Sequence, residues 1–339
     1  AALIAVGMNA TSLLTTYEYS KYTMRGESNG LTADKQNSQH GLNKDYITQW
    51  SYGVGETMTV LIPDFKGGAS GGKLSMKSET AKHLKNLNVP DSQTEQIVSQ
   101  MPLYWGTQPG TSGPVYLGAI VMFLFVLSFF LVEKRYLWWL VPVIVLTMML
   151  SWGRNFMWLT DLFIDYVPMY NKFRTVSMTL VATGFGITLL AMLALKEVLD
   201  PARDRKTLIR PVIISAGITA GIALLFALIP SLAGSFVADS TFNPADAQFR
   251  GDYAFLKETL PLDREAMLQS DAIRSAIFII LAAALIWLYA KSKIKATLTI
   301  SLFGILMLAD LLPVAKRYLN DDHFGRKRKI ENLHQPTAA

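Results

Sequence analysis

A series of uncharged apolar runs constrains this chain more than anything else in it. Five runs, 114–132, 136–152, 175–195, 211–232 and 275–290, contain no charged residue. A bilayer core takes about 20 helical residues at roughly 1.5 Å each. Lipid offers no partner to an unpaired backbone amide, so runs of this kind must be α-helical. Two weaker segments join them: 296–314, with Asp310 near its end, and 1–16, which starts apolar with neither Met nor a basic flank. A signal peptide would show a basic start and a small-residue cleavage site, so 1–16 reads as a truncated helix and the chain as a piece of a longer one. The expected fold is an all-α, multi-pass transmembrane bundle of about seven helices. Its expected parts are a truncated helix at 1–16, a loop or small insert at 17–113, a six-helix core at 114–314, and a tail at 315–339 that leads to a further domain.

Composition narrows the chemistry. With 51% hydrophobic and 17% charged residues, a disordered or fibrous chain is excluded. The absence of Cys removes disulfides, cysteine zinc sites, iron–sulfur clusters and thiol nucleophiles. Four scattered histidines, His40, His83, His323 and His334, form no pair at metal-ligand spacing.

A net charge of +6 would suggest nucleic acid in a soluble protein, but here the basic residues carry topology and no nucleic acid is expected. The short connections 133–135, 196–210 and 291–295 hold ten Lys/Arg in 23 residues, which places them in the cytoplasm. Residues 17–113, 153–174, 233–274 and 315–339 then lie outside. The basic run Arg326–Lys329 is the one feature that opposes this orientation.

The outer loop 17–113 contains a strand-like run, Met58–Pro63, and a helix-like stretch, Ser78–Leu87. Gly67–Leu74 nearly spells a phosphate-cradling loop, but Leu74 stands where a hydroxyl is needed, so a mobile surface loop is the better reading. The connection 153–174 is richer. Phe156, Leu159, Leu162, Phe163 and Val167 have helical spacing, with Asp161 and Asp165 on another face and Pro168 as the stop. The two carboxylates suit either a solvated face or a divalent metal. Arg154, Lys172 and Arg174 suit either lipid headgroups or the phosphate of a lipid carrier. Asp310 is expected near the exit of its helix, paired with Lys316 or Arg317, and Trp138, Trp139, Trp152 and Trp158 are expected as interfacial belts.

Several strings then stand together in order: Tyr46–Tyr52, Gly55-Glu56, Leu61-Ile62-Pro63-Asp64-Phe65-Lys66-Gly67-Gly68, Pro168–Arg174 and Asp310–Asn320. With them the chain resembles the YfhO family of bacterial membrane proteins, in the form common in Bacteroidetes. That family is similar to the C-type membrane glycosyltransferases, which use polyprenyl-phosphate sugar donors on the extracytoplasmic face of a helical bundle. The resemblance implies a protein of the bacterial inner membrane that glycosylates a cell-envelope polymer or lipid. It also implies a main catalytic carboxylate in a loop preceding residue 1. Here Arg154, Lys172 and Arg174 would clamp the donor phosphate, Asp161 and Asp165 would join the substrate site with or without a divalent metal, and Glu56 would be the best single carboxylate. A lipid-linked-sugar transporter and a non-catalytic membrane scaffold remain the alternatives.

Overall fold

The computed structural model describes residues 4, 7–20, 22, 42–321 and 324, and among these the regular structure is helical. Its α-helices are α1 (Ala10–Ser20), α2 (Lys44–Ile47), α3 (Glu79–Asn86), α4 (Asp91–Val98), α5 (Ala119–Leu131), α6 (Lys134–Ser151), α7 (Met157–Tyr166), α8 (Leu180–Leu199), α9 (Ile209–Leu228), α10 (Leu256–Ala290) and α11 (Ala296–Tyr318). Strand pairing among the described residues is limited to one isolated bridge, Gly72 with Met101.

The membrane-spanning count is lower than the apolar runs predict. Four helical stretches are long and apolar enough to cross a bilayer: Val176–Leu199, Arg205–Leu228, Gly251–Ala290 and Ala296–Tyr318. A fifth arises if α6 is joined to Gly153–Tyr166 across a 115° bend. These mark an integral membrane protein. At most 44% of any of the four apolar windows is buried, so side chains such as Val181, Phe185, Ile213 and Ile305 face outward into surroundings that suit lipid and not water.

The two missing spans have physical reasons. α5 has only 13 residues because helix begins at Ala119, whose N–H donates to Asp310 Oδ2 at 2.9 Å; residues 114–118 are non-helical. Phe123, Leu124 and Leu127 are fully enclosed, so the helices around α5 shield its ends from lipid. α1 has only 11 residues, of which 11–19 are exposed, and part of 1–16 lies outside the described residues. The basic run Arg326–Lys329 and His40, His323 and His334 also lie outside them.

The three short basic connections gather at one end of the bundle. Arg203 donates to the Leu131 carbonyl at 3.1 Å, and Arg205 stacks 4.4 Å from the Tyr289 ring centroid. The polar mass sits at the other end. There α3, with Ser78 accepting from Ala81 N–H, and α4 share an apolar cluster with Phe249, Leu256 and Leu260. The strand expected at Met58–Pro63 is instead a 3-10 helix, Gly55–Val60, followed by a turn. Val60, Leu61 and Ile62 are all buried, so no alternation of faces exists to support a strand.

The interfacial helix expected after Trp152 is present as α7. Gly153 makes the bend with φ of 47°, and a Cβ there would come within 2.1 Å of Ser51 Oγ. Trp138, Trp139 and Trp158 are exposed, as belt residues would be. Trp152 is not one of them; it is half-buried and donates to Thr57 Oγ1 at 3.0 Å.

α10 ties the two ends together. Its 35 residues reach about 52 Å at 1.5 Å per residue, well beyond a hydrocarbon core of about 30 Å. The expected span 275–290 is only its far half; the near half, inside the expected loop 233–274, carries a face of buried charge. Asp263 accepts from Glu79 N–H (2.7 Å) and Thr80 N–H (3.0 Å), capping α3. Arg264, with no exposed side-chain surface, donates to the carbonyls of Pro102, Leu103 and Phe236 and grips both oxygens of Asp246. Asp271 pairs with Arg317, and Arg274 with Asp310 at 3.0 Å. The partner of Asp310 is therefore Arg274 from the neighbouring helix, not the expected Lys316 or Arg317.

Removing one side of such a buried pair strands the other charge. Arg264→Ala is expected to cost about 3–5 kcal/mol, read as a large drop in the thermal unfolding midpoint in detergent. An unchanged midpoint would mean that Arg264 does not anchor the polar end.

Candidate functional site

Two cavities open in the polar end of the bundle, side by side. The larger, about 800 Å³, lies between the glycine-rich segment Gly67–Ser75 and the end of α11. The smaller, about 110 Å³, is lined by Glu56, Lys66, Tyr104 and Gln108 among others, and shares Gly68 and Thr111 with its neighbour.

Asp64 faces the larger cavity from the turn that follows the 3-10 helix. Its Oδ2 accepts from Arg317 at 3.0 Å and its Oδ1 from Tyr318 Oη at 2.5 Å. The Arg317 guanidinium also meets both oxygens of Asp271, at 2.5 and 2.7 Å. Burial, then the negative charge of Asp271, push the Asp64 carboxyl above the usual carboxylate range, while Arg317 and Tyr318 pull it back. Gly68 must be a glycine here: φ is 75°, and a Cβ would lie 2.7 Å from Tyr318 Oη and 2.9 Å from Asp64 Oδ1. The segment Gly67–Leu74 does not stand free on the surface, since Ala69 and Leu74 are buried, and no helix begins until Glu79.

Glu56 lies almost fully enclosed in the smaller cavity. Its Oε1 accepts from Tyr104 Oη (2.9 Å) and Thr107 N–H (2.6 Å), and its Oε2 from Gln108 Nε2 (3.4 Å). Burial raises its pKa, and the three donors oppose the rise. Across the cavity Lys66 donates to the Ala233 carbonyl at 2.8 Å and sits 3.5 Å over the Trp105 ring. Burial lowers the Lys66 pKa to about 8, with Glu56 acting the other way.

The residues singled out from the sequence fall into two groups. Arg154 joins Glu56 through Thr107: its guanidinium donates to the Thr107 carbonyl, and Thr107 N–H donates to Glu56. Arg154 also stacks 3.7 Å from the Phe242 ring centroid. The second group surrounds α2. Lys44 pairs with Asp161 at 2.5 Å, and this bond together with the charge of Asp165 raises the Lys44 pKa. Arg174 donates to Tyr46 Oη at 2.7 Å, while Lys172 is half-buried in the turn Tyr170–Lys172. Among the described residues, no group of three His, Asp or Glu is arranged to hold a metal ion.

Sequence reasoning gave no role to Asp64, Lys66, Asp271 or Tyr318, and expected Arg317 only as a partner of Asp310. The signal available was positional: Asp64 and Lys66 follow the apolar run 58–63 directly, and Arg317-Tyr318 close the last apolar helix.

No protein-family model matches the chain, and no curated protein or solved structure matches it significantly.

The Lys66 environment gives a pH signature. Folded, its amine titrates near pH 8; unfolded, at its ordinary 10.5. Between these values the unfolded chain binds the extra proton, so this group makes stability rise with pH from about 8 to 10.5. Lys66→Met is expected to remove that rise from the unfolding midpoint measured across this window. A variant with the same pH slope as the parent would place Lys66 in water.

Proposed function

We propose that this chain belongs to a membrane glycosyltransferase of the kind that its resemblance to the YfhO family implies. In this reading it moves a sugar from a polyprenyl-phosphate carrier to a cell-envelope acceptor at the extracytoplasmic end of the bundle. The observation that carries it is Asp64, a buried carboxylate of raised pKa opening on a cavity of about 800 Å³, within the roughly 300–1,000 Å³ of small-molecule sites.

The chemistry is a displacement. Asp64 takes the proton of an acceptor hydroxyl, whose oxygen bonds to the anomeric carbon as the bond to the carrier phosphate breaks. Arg154, Lys172 and Arg174, at the same end of the bundle, are the cations that would stabilise the departing phosphate, Arg154 and Arg174 in exchange for their present contacts with the Thr107 carbonyl and Tyr46. Glu56 stands in the adjoining cavity as a second carboxylate. A hydrogen-bonded base of this kind contributes about 10²–10⁴-fold.

Transport is the second reading, favoured by the Arg274–Asp310 pair, which lies within two spanning helices with Asp310 1% exposed.

The test is transfer of labelled sugar from polyprenyl-phosphate donors by the protein in liposomes. Asp64→Asn is expected to lower kcat by 100-fold or more. Glu56→Gln, which keeps a carbonyl oxygen for the Tyr104 and Thr107 donors, is expected to lower it less than 10-fold. Full activity in Asp64→Asn removes the proposed base, and carrier flipping without transfer favours the transporter.

A further inference from the structure

The charge on the walls of the larger cavity decides what kind of group it can hold. Among the described residues two cations line it, Arg317 and Lys73. Arg317 is already bound by both Asp64 and Asp271, one guanidinium against two carboxylates. Lys73 is at the rim, 64% exposed, and pairs with Glu95 at 3.3 Å. Among the described residues, a phosphate entering here would find no uncommitted cation and would approach two carboxylates, which costs rather than stabilises. The remaining lining is different in kind. Ser75, Thr111, Ser112 and Tyr318 bring hydroxyls, and Gly71 and Gly72 bring backbone without side chains.

Such a wall offers neutral hydroxyls and backbone groups at short range, together with the Asp64 carboxylate, whose oxygens keep lone pairs beyond those that accept from Arg317 and Tyr318. Leu74, Leu103 and Met267 supply an apolar side for the faces of a ring.

We propose that the cavity between Gly67–Ser75 and the end of α11 is a subsite for an uncharged polyol, a sugar residue held by its hydroxyls, and that it rejects phosphate. The subsite deepens the transferase reading by naming which part of a substrate enters here, and it rests on that reading only for its place in the reaction. The carrier phosphate is then bound elsewhere, outside this pocket.

Calorimetric titration of the detergent-purified protein with neutral methyl hexosides and disaccharides, sugar 1-phosphates and inorganic phosphate tests this directly. At least one neutral saccharide is expected to bind, with inorganic phosphate neither binding nor competing. Ser112→Trp, which places an indole at the exposed mouth, is expected to weaken saccharide binding by 10-fold or more. Lys73→Glu is expected to leave it within 2-fold, whereas a phosphate site would lose its ligand with that change. Saccharide binding by a protein that transfers no sugar would defeat the transferase reading and leave the subsite standing. Phosphate binding that Lys73→Glu abolishes, or no saccharide binding by the parent protein, would overturn the subsite.

Discussion

Everything at the polar end of this molecule depends on the buried charges along the first half of α10. Asp263 and Arg264 are adjacent, and Asp271 and Arg274 follow seven and ten residues after Arg264, so all four fall within about 100° of one helical face. Each is engaged by a different part of the chain: Asp263 accepts from N–H groups at the start of α3, Arg264 meets the segments around Pro102 and Asp246, Asp271 pairs with Arg317, and Arg274 with Asp310. Buried ions are expensive unless paired and hydrogen-bonded, so each pairing fixes one distant segment against a single rigid rod. Ser275 continues the pattern by donating to the Leu61 carbonyl at 2.9 Å. A helix that is lipid-facing in its second half thus becomes a scaffold in its first.

This arrangement explains why the cavities lie where they do. Arg317 is drawn to Asp271 on α10 and meets Asp64 from the other side, closing the floor of the larger cavity. Asp64 is itself placed by a backbone bond, its N–H donating to Asp271 Oδ2 at 3.2 Å. Phe65 packs edge-on against Phe226 of α9 at 4.7 Å, which seats the 58–66 turn on the mouth of the bundle. The chemistry-bearing groups are therefore held by the membrane helices themselves, and not by the loop alone.

The sequence made the lipid-facing helices legible because apolar runs have no other stable fate in a bilayer. α6, α8, α9 and α11 follow from that alone, and α7 and α3 follow from helical spacing and from the Ser78 cap. The near half of α10 was hidden for the same reason: a search for uncharged runs stops at Arg274, although Leu256, Leu260, Leu268 and Ala272 continue at helical spacing. The strand-like reading of 58–63 failed because an unbroken apolar run shows burial without showing period. Asp64 and Arg317, 253 residues apart, had no local signal of their meeting. Glu56, marked as a carboxylate in the outer loop, does face a cavity, whereas the cations Arg154 and Arg174 are engaged by different partners.

The central claim is that a membrane bundle presents its cavities on one side and its basic connections on the other. The chain has no Cys, so a single introduced thiol reports its own side without interference. Intact cells bearing Lys77→Cys or Lys206→Cys, treated with a membrane-impermeant maleimide, give the most direct measurement. The account predicts labelling of Cys at 77 in intact cells and of Cys at 206 only after permeabilisation. The reverse pattern would put the cavities in the cytoplasm, and equal labelling of both would contradict a spanning bundle altogether.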